Sequence, residues 1–386
     1  MKILLVIGGL NNGAGTERVC SMIANSLSES GHEIVLASIG PCDTPFFPIN
    51  KDIKIIPLID FSSSNLGRLP VSAYDIKNFY NTIFRIRNKL SDKPKIVYKI
   101  RKILRNERID TVIAVDTDCI EFTLPAAFGL PVKHICWEHF NFNVNQGKKR
   151  SKLRQRAARY CEAIVTLTER DKDNWLKGTI HQSQIISIDN PCPFPVQEYI
   201  KEEDTKIVLA VGRLTSQKGF DILLEAWIQV NQIMPDWTLK IVGEGEDRST
   251  LTEFIRKNDL TDSVELVGAT DNVSKYYQQA EIFCLSSRFE GFGVVLIEAL
   301  AFGLPIVSFD CDTGPAEVLE GTGSILVPEN DIDLLTLSLV DLMSDKQKRE
   351  IIRVKGKEKA KIYQSDKVTN QWVNLLEKVL DNKLIT

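Results

Sequence analysis

Seven residues separate two glutamates in Arg288-Phe289-Glu290-Gly291-Phe292-Gly293-Val294-Val295-Leu296-Ile297-Glu298. A β-branched run (281–286) ends just before this segment, and an apolar helix is expected to begin near Gly293. The backbone N–H groups at such a helix start have no intrahelical partner and suit a diphosphate. The glycines let a phosphate come close to the backbone. Were the span wholly helical, the two acids would lie about 12 Å apart. A nucleotide sugar is long enough to use both, one at the sugar and one at the ribose. The residues alone leave a second reading open, a solvated loop acid and a helix-surface acid. Solvation is less natural for Glu298, which sits among Leu296, Ile297, Ala299 and Leu300.

A second segment, Val211-Gly212-Arg213-Leu214-Thr215-Ser216-Gln217-Lys218-Gly219, also follows a strand and opens a helix. Arg213 and Lys218 would set two cations beside a helix N-terminus, where an anionic leaving group is stabilised. The bland alternative is two exposed loop cations. The first strand-to-helix turn runs Gly8-Gly9-Leu10-Asn11-Asn12-Gly13-Ala14-Gly15-Thr16-Glu17. It lacks the glycine spacing of a dinucleotide fold and the Lys-Ser/Thr ending of a P-loop. His139, in Trp137-Glu138-His139, stands where a strand ends and has a phosphate or sugar hydroxyl within its chemistry; a structural role is the alternative. Three D-x-D triplets (Asp116/Asp118, Asp171/Asp173, Asp310/Asp312) have the pattern that binds a metal–diphosphate in one class of sugar transferases, and each also arises readily by chance.

These segments need strands and helices to hold them. Runs such as KILLVIGG (2–9), EIVLASI (33–39), TVIAVD (111–116), AIVTLT (163–168), KIVLAVG (206–212), VELVG (264–268) and PIVSFD (305–310) suit strands buried on both faces. Helical patterns alternate with them at 15–30, 219–234, 247–258, 293–302 and 331–344. The alternation predicts an α/β chain with parallel, doubly wound sheets. About a dozen strands exceed one compact unit, so two domains are expected. Asp189-Asn190-Pro191-Cys192-Pro193-Phe194-Pro195 is the natural break, because its prolines forbid a continued helix or central strand. The expected domains are 1–190 and 196–365. A last helix near 366–381, within 366–386, carries Val368, Trp372, Leu375, Leu376 and Val379 at helical spacing and is expected to pack back onto the first domain.

The chain has 386 residues and a net charge of −3. Residues 1–190 hold 27 Lys+Arg against 19 Asp+Glu, an excess of +8, and the remainder carries −11. The basic excess concentrates in 85–108 and 148–159. Phe84 and Tyr98 are too few and too far apart for a base-stacking platform, which argues against nucleic acid. The eight cysteines are scattered without metal-ligand spacing and read as reduced. No apolar run is long enough to span a bilayer. The N-terminal apolar run reads as a first strand and not as a signal peptide, so the expected place is the cytoplasm.

Together, the Glu290–Glu298 element, the 211–219 segment and Glu298-Ala299-Leu300-Ala301-Phe302-Gly303-Leu304-Pro305-Ile306-Val307 resemble the family-4 retaining glycosyltransferases. The early glycine turn with Glu17-Arg18 and the Glu138-His139 pair look like that family's N-terminal signatures. The resemblance covers nearly the whole chain and is most specific over 206–328. It implies the GT-B architecture, two Rossmann-like doubly wound domains facing a cleft. The first would bind acceptor and the second a nucleotide sugar. By carry-over, Glu290 would contact the donor sugar and Glu298 the ribose. Arg213 and Lys218 would stabilise the departing diphosphate, and the backbone of Phe292, Gly293 and Val294 would cradle phosphate. Gly268 joins the donor-binding set. Gly13, Ala14 and Gly15 would approach the β-phosphate, and His139 would lie beside the transferred sugar. The implied catalytic set is therefore Glu290, His139, Lys218 and Arg213. The first turn has one residue more than the family's common Gly-Gly-Ala-Glu, which departs from the pattern at the β-phosphate.

No metal or other cofactor is implied, since cations and a helix dipole neutralise the leaving group. Phe309-Asp310-Cys311-Asp312-Thr313-Gly314-Pro315-Ala316-Glu317 resembles the bacterial surface-polysaccharide members. Their donors are often UDP-galactose, UDP-N-acetylgalactosamine or UDP-glucose, and their acceptors saccharides on lipid diphosphates. The basic clusters, interleaved with Ile96, Val97, Ile100, Ile103 and Leu104, would then hold the protein on the anionic inner face of the membrane. A nucleotide-sugar epimerase of the same architecture, a transferase with a soluble acceptor, a dinucleotide oxidoreductase and a binding module without catalysis are the competing readings.

Overall fold

The computed structural model describes residues 1–11, 13–59, 92–144, 147–198 and 205–381. The chain divides into two compact units, Met1–Pro191 with Ser365–Thr386, and Cys192–Gln364.

In the first unit β1 (Lys2–Ile7), α1 (Gly15–Glu29), β2 (Glu33–Ser38), β3 (Lys54–Pro57), α2 (Lys93–Asn106), β4 (Thr111–Val115), α3 (Ile120–Ala127), β5 (Lys133–Trp137), α4 (Lys148–Tyr160), β6 (Ala163–Thr166), α5 (Glu169–Gly178) and β7 (Gln184–Ser187) follow in turn. The strands form one parallel sheet in the order β3-β2-β1-β4-β5-β6-β7. Ile3, Leu4, Leu5 and Val6 are fully buried, as strands covered by helices on both faces must be.

The second unit contains β8 (Ile207–Val211), α6 (Phe220–Ile233), β9 (Thr238–Val242), α7 (Arg248–Lys257), β10 (Val264–Gly268), α8 (Ser274–Gln279), β11 (Ile282–Leu285), α9 (Val294–Ala301), β12 (Ile306–Phe309), α10 (Pro315–Leu319), β13 (Ile325–Val327), α11 (Ile332–Ser344) and α12 (Lys346–Ala360). Its parallel sheet runs β10-β9-β8-β11-β12-β13.

The last helix, α13 (Ser365–Leu380), belongs to the first unit. Its stripe of Val368, Trp372, Leu375, Leu376 and Val379 is buried. Trp372 meets Trp137 edge-on, with ring centroids 4.8 Å apart, and Ser365 hydrogen-bonds Ser26 of α1.

Each sheet reverses its strand order once, between β1 and β4 and between β8 and β11. Loops leaving the C-terminal ends of such neighbours diverge to opposite faces and open a crevice, the usual ligand position in a doubly wound sheet.

Two sequence expectations change. The apolar residues of α2 do not face a membrane: Ile96, Ile100, Ile103 and Leu104 are buried in the core and Val97 packs against it. The basic run 148–159 is likewise divided. Arg150 and Arg154 turn inward, whereas Lys148, Lys149, Lys152, Arg156 and Arg159 are exposed. Residues 85–91 of the first cluster lie outside the described residues. Among the described residues no helix is long and apolar enough to cross a membrane.

Candidate active site

In the second unit, the loops that follow β8 and β11 are clasped together. The β8 loop closes in a single 3-10 turn, Ser216–Lys218. Gly219 ends that turn at φ +61°, a left-handed conformation that glycine adopts without strain. A Cβ there would also collide with the carbonyl of Ser286. Arg288 forks onto both carboxylate oxygens of Asp221 at 2.6 and 2.9 Å and donates a further bond to the Ser216 carbonyl at 2.6 Å. Gln217 donates to the Phe289 carbonyl at 3.0 Å. This clasp brings Lys218 Nζ to 2.6 Å from Glu290 Oε1. Both side chains are largely buried, so this pair is a fixed feature and not a solvated loop contact. Thr313 secures the loop from below, its hydroxyl donating to the Glu290 carbonyl at 2.7 Å. Arg213, three residues before the turn that carries Lys218, is exposed.

α9 starts immediately beyond. Gly293 is its N-cap at φ +82°, and Val294 and Val295 open the first turn. Phe292 is buried edge-on against Tyr363, which fixes the entry to the helix. Glu298 is only 2% exposed, which excludes the helix-surface alternative. It accepts a hydrogen bond from the Tyr277 hydroxyl at 2.8 Å. Gly268 ends β10 at φ +93°, beside the Glu244–Arg248 ion pair.

The first unit holds the remaining expected residues. Gly13 lies at φ +65° against the ring of Phe46. Ala14 caps α1 and Gly15 is its first residue. Glu17 reaches back to the Ala14 N–H at 3.4 Å. His139 is 8% exposed, its ring tilted against Trp137 with centroids 4.4 Å apart, and its Nε2 has no partner. Burial pushes its pKa down to about 4, against the pull of Glu138, so the ring is neutral at physiological pH. A neutral imidazole with a free nitrogen can exchange a hydrogen bond with a hydroxyl but supplies no charge.

Glu138 is fully buried and heavily partnered. Arg150 approaches to 2.9 Å and Arg154 to 3.5 Å, and the Thr117 hydroxyl donates at 2.5 Å. The N–H groups of His139 and Phe140 also donate to it. Burial opposes its charge, yet the two guanidinium groups hold its carboxyl below the usual range. Glu138 therefore fixes the backbone that carries His139.

The three D-x-D triplets have separate fates. Asp116 and Asp118 both pair with Arg150. Asp171 accepts from the Phe142 N–H, whereas Asp173 is exposed. Asp310 Oδ1 is buried without a partner. Sequence reasoning missed Arg288, Asp221, Tyr277 and the inward turn of Arg150. The partners of Arg288 and Arg150 stand from 12 to 72 residues away in the chain, where no local spacing signals them.

Two doubly wound parallel sheets, the second carrying a lysine–glutamate pair before a glycine-capped helix, have the organisation of a glycosyltransferase of the GT-B type. Comparison with known proteins gives the family. Residues 13–192 match the model described as Glycosyltransferase Family 4, and residues 196–359 match Glycosyl transferases group 1. The chain belongs to this family of glycosyltransferases. An uncharacterized glycosyltransferase of Haemophilus influenzae is 33% identical over 97% of this chain and 99% of its own. A Campylobacter jejuni relative is 25% identical over 98% of this chain and 99% of its own. Its name describes an α-1,4-N-acetyl-D-galactosaminyltransferase acting on a saccharide linked through PP to undecaprenol. Anabaena HepE, solved in complex with UDP, shares the fold with a TM-score of 0.76 at 16% identity, over 98% of this chain and 100% of that one.

Proposed function

We propose that this glycosyltransferase moves a hexose or N-acetylhexosamine from a UDP-sugar to a lipid-diphosphate-linked saccharide, in bacterial surface-polysaccharide synthesis, with retention at the anomeric carbon. UDP-galactose, UDP-N-acetylgalactosamine and UDP-glucose are the favoured donors. The observation that carries the reading is the buried Lys218–Glu290 pair at 2.6 Å, set before the N-terminus of α9. The UDP complex of HepE and the acceptor named for the Campylobacter relative support it.

In this reading Lys218, Arg213 and the first N–H groups of α9, with Phe292, Gly293 and Val294, take the diphosphate. Gly268 and the Gly13–Gly15 turn complete the donor set, and Glu298 takes the ribose. Glu290 keeps one carboxylate oxygen on Lys218 and offers the other to the sugar. His139 is assigned to a hydroxyl of the transferred sugar on the family resemblance. The bond from the anomeric carbon to the phosphate oxygen breaks as the acceptor oxygen bonds to the same face. The acceptor's proton passes to the departing phosphate oxygen. Orientation and charge stabilisation are all that such a step asks of the protein. The proposal includes no metal.

Glu290→Ala and Lys218→Ala are each expected to abolish transfer from a radiolabelled UDP-sugar while the circular dichroism spectrum is unchanged. Full transfer by either variant refutes the assignment.

We also propose peripheral association with the anionic inner face of the cell membrane, through charge alone. Lys95, Lys99, Lys102, Arg105 and Arg108 on and after α2, and Lys148, Lys152, Arg156 and Arg159 on α4, are exposed. Each basic side chain near such a surface contributes about 1 kcal/mol. Sedimentation with phosphatidylglycerol vesicles is expected at low salt and lost at high salt. No sedimentation at low salt refutes it.

A further inference from the structure

The first unit has a cavity of about 420 Å³ at its own switch point, where the β1 and β4 loops part. That volume lies within the range of small-molecule sites. Ile7, Val115 and Phe122 form an apolar floor. The two sides differ in charge. On one side a single carboxylate, Glu121, meets two lysines, Lys93 at 2.9 Å and Lys149 at 2.6 Å. Burial opposes its ionisation, but the lysines hold it below the usual carboxylate range, so the group keeps one positive charge in excess. Asp116, Asp118 and Glu17 also line the cavity, and behind the first two Arg150 meets Asp116 at 2.5 Å, Asp118 at 3.4 Å and the buried Glu138 at 2.9 Å. Burial and the charge of Glu138 drive Asp116 towards its protonated form. Arg154, 3.5 Å from Glu138, then joins Arg150 in balancing Asp118 and Glu138, so this side carries no positive excess. Asp118 engages Arg150 through one oxygen only, and its side chain is 61% exposed.

A pocket with an apolar floor, a cationic wall and a carboxylate wall fits a ligand with the same division. We propose that the cavity holds the acceptor as a glycosyl 1-phosphate, with neutral-sugar hydroxyls on Asp116 and Asp118 and the anomeric phosphate on Lys93 and Lys149. Hydroxyls donate well to carboxylates, and a phosphate takes charge-assisted bonds from lysine. A uronic acid would set a second carboxylate against Asp118 without compensation. This inference rests on the transfer reading above and narrows it. The sugar that receives the new residue is the one joined directly to phosphate, so the acceptor carries a single sugar. The reaction that supplies it must transfer a sugar 1-phosphate to a lipid phosphate.

Isothermal titration calorimetry with UDP at saturation, to fill the donor site, tests this with α-D-galactose 1-phosphate, galactose and inorganic phosphate. Galactose 1-phosphate is expected to bind about tenfold or more tightly than either part alone. Lys93→Ala with Lys149→Ala removes that advantage. Asp118→Asn weakens galactose 1-phosphate and leaves inorganic phosphate unchanged. Glu121→Gln keeps both lysines and removes their competitor, so it tightens galactose 1-phosphate. Equal affinity for phosphate and galactose 1-phosphate overturns the proposal, as does indifference to the paired lysine change. Intact UDP binding without any sugar-phosphate binding overturns this inference alone. Absence of UDP binding counts against the transfer reading and takes this one with it.

Discussion

Two histidines show how burial sets chemistry at the scale of one residue. His134 is buried on β5 with Nε2 3.0 Å from the Thr123 hydroxyl, and its pKa is pushed down to about 3. His139 is pushed down to about 4 by the same cause. An unfolded histidine titrates near pH 6.5. Between these values the unfolded state binds more protons than the folded one, so stability falls as pH falls. The contribution is complete above about pH 6.5 and declines towards pH 4. At pH 5 each histidine removes at most about 2 kcal/mol. Thermal denaturation at pH 7 and pH 5 is expected to show a lower Tm at pH 5, with a smaller difference in His134→Gln. An equal or higher Tm at pH 5 contradicts the sign. The same neutrality leaves His139 as a hydrogen-bonding ring and not a cationic acid.

Among elements, the β8 loop matters more than any one of its side chains. Its conformation rests on Arg288, which ties Ser216 and Asp221 to the β11 loop by three bonds. Asp221 raises the pKa of Arg288 and is itself held low by it. Arg288 is a positioning residue: it touches neither Lys218 nor Glu290 but fixes the turn between them. Arg288→Ala is expected to weaken UDP binding about tenfold in calorimetry. Asp221→Ala should do the same, and the double variant should be no worse than either. Additive losses, or Arg288→Ala binding UDP as the wild type does, remove the clasp from the account.

At the scale of the whole molecule, the chain completes its first unit only with its last helix. Trp372 is fully buried against Trp137, the residue two positions before His139. Trp372→Ala removes a large core side chain and is expected to cost about 3–5 kcal/mol. Calorimetric unfolding should show that loss in the first unit, with UDP affinity falling far less, because most of the proposed diphosphate residues, Lys218, Arg213 and the start of α9, lie in the second and only the Gly13–Gly15 turn lies in the first. Loss of UDP binding together with stability would contradict this division of labour.

Much of this was legible in the order of residues. Buried parallel strands read as unbroken apolar runs because both faces are covered, and KILLVI, TVIAV and IVLAV are such runs. Edge strands were less visible: β3 carries a proline, and β7 and β13 are short. Glycine-rich turns before helices mark crevices because their effect on the backbone is local, so Glu290, Lys218 and the α9 start could be singled out. Side-chain direction was not legible. The alternation of lysine and isoleucine along α2 suits a helix on lipid as well as one on a core, and only packing showed that the isoleucines face inward. Arg150 and Lys149 look alike as neighbours in a basic run, yet one turns inward to three carboxylates and the other stays exposed.

By itself the sequence determined the doubly wound elements, the glycine turns and the acids and cations of the proposed donor site, because these depend on neighbours within a few residues. Only the tertiary structure decided which charges meet. Lys218 and Glu290 are 72 residues apart in the chain and 2.6 Å apart in space. Coulombic and hydrogen-bond energies fall off over a few ångströms. That pairing exists only once the sheet has brought the β8 and β11 loops together.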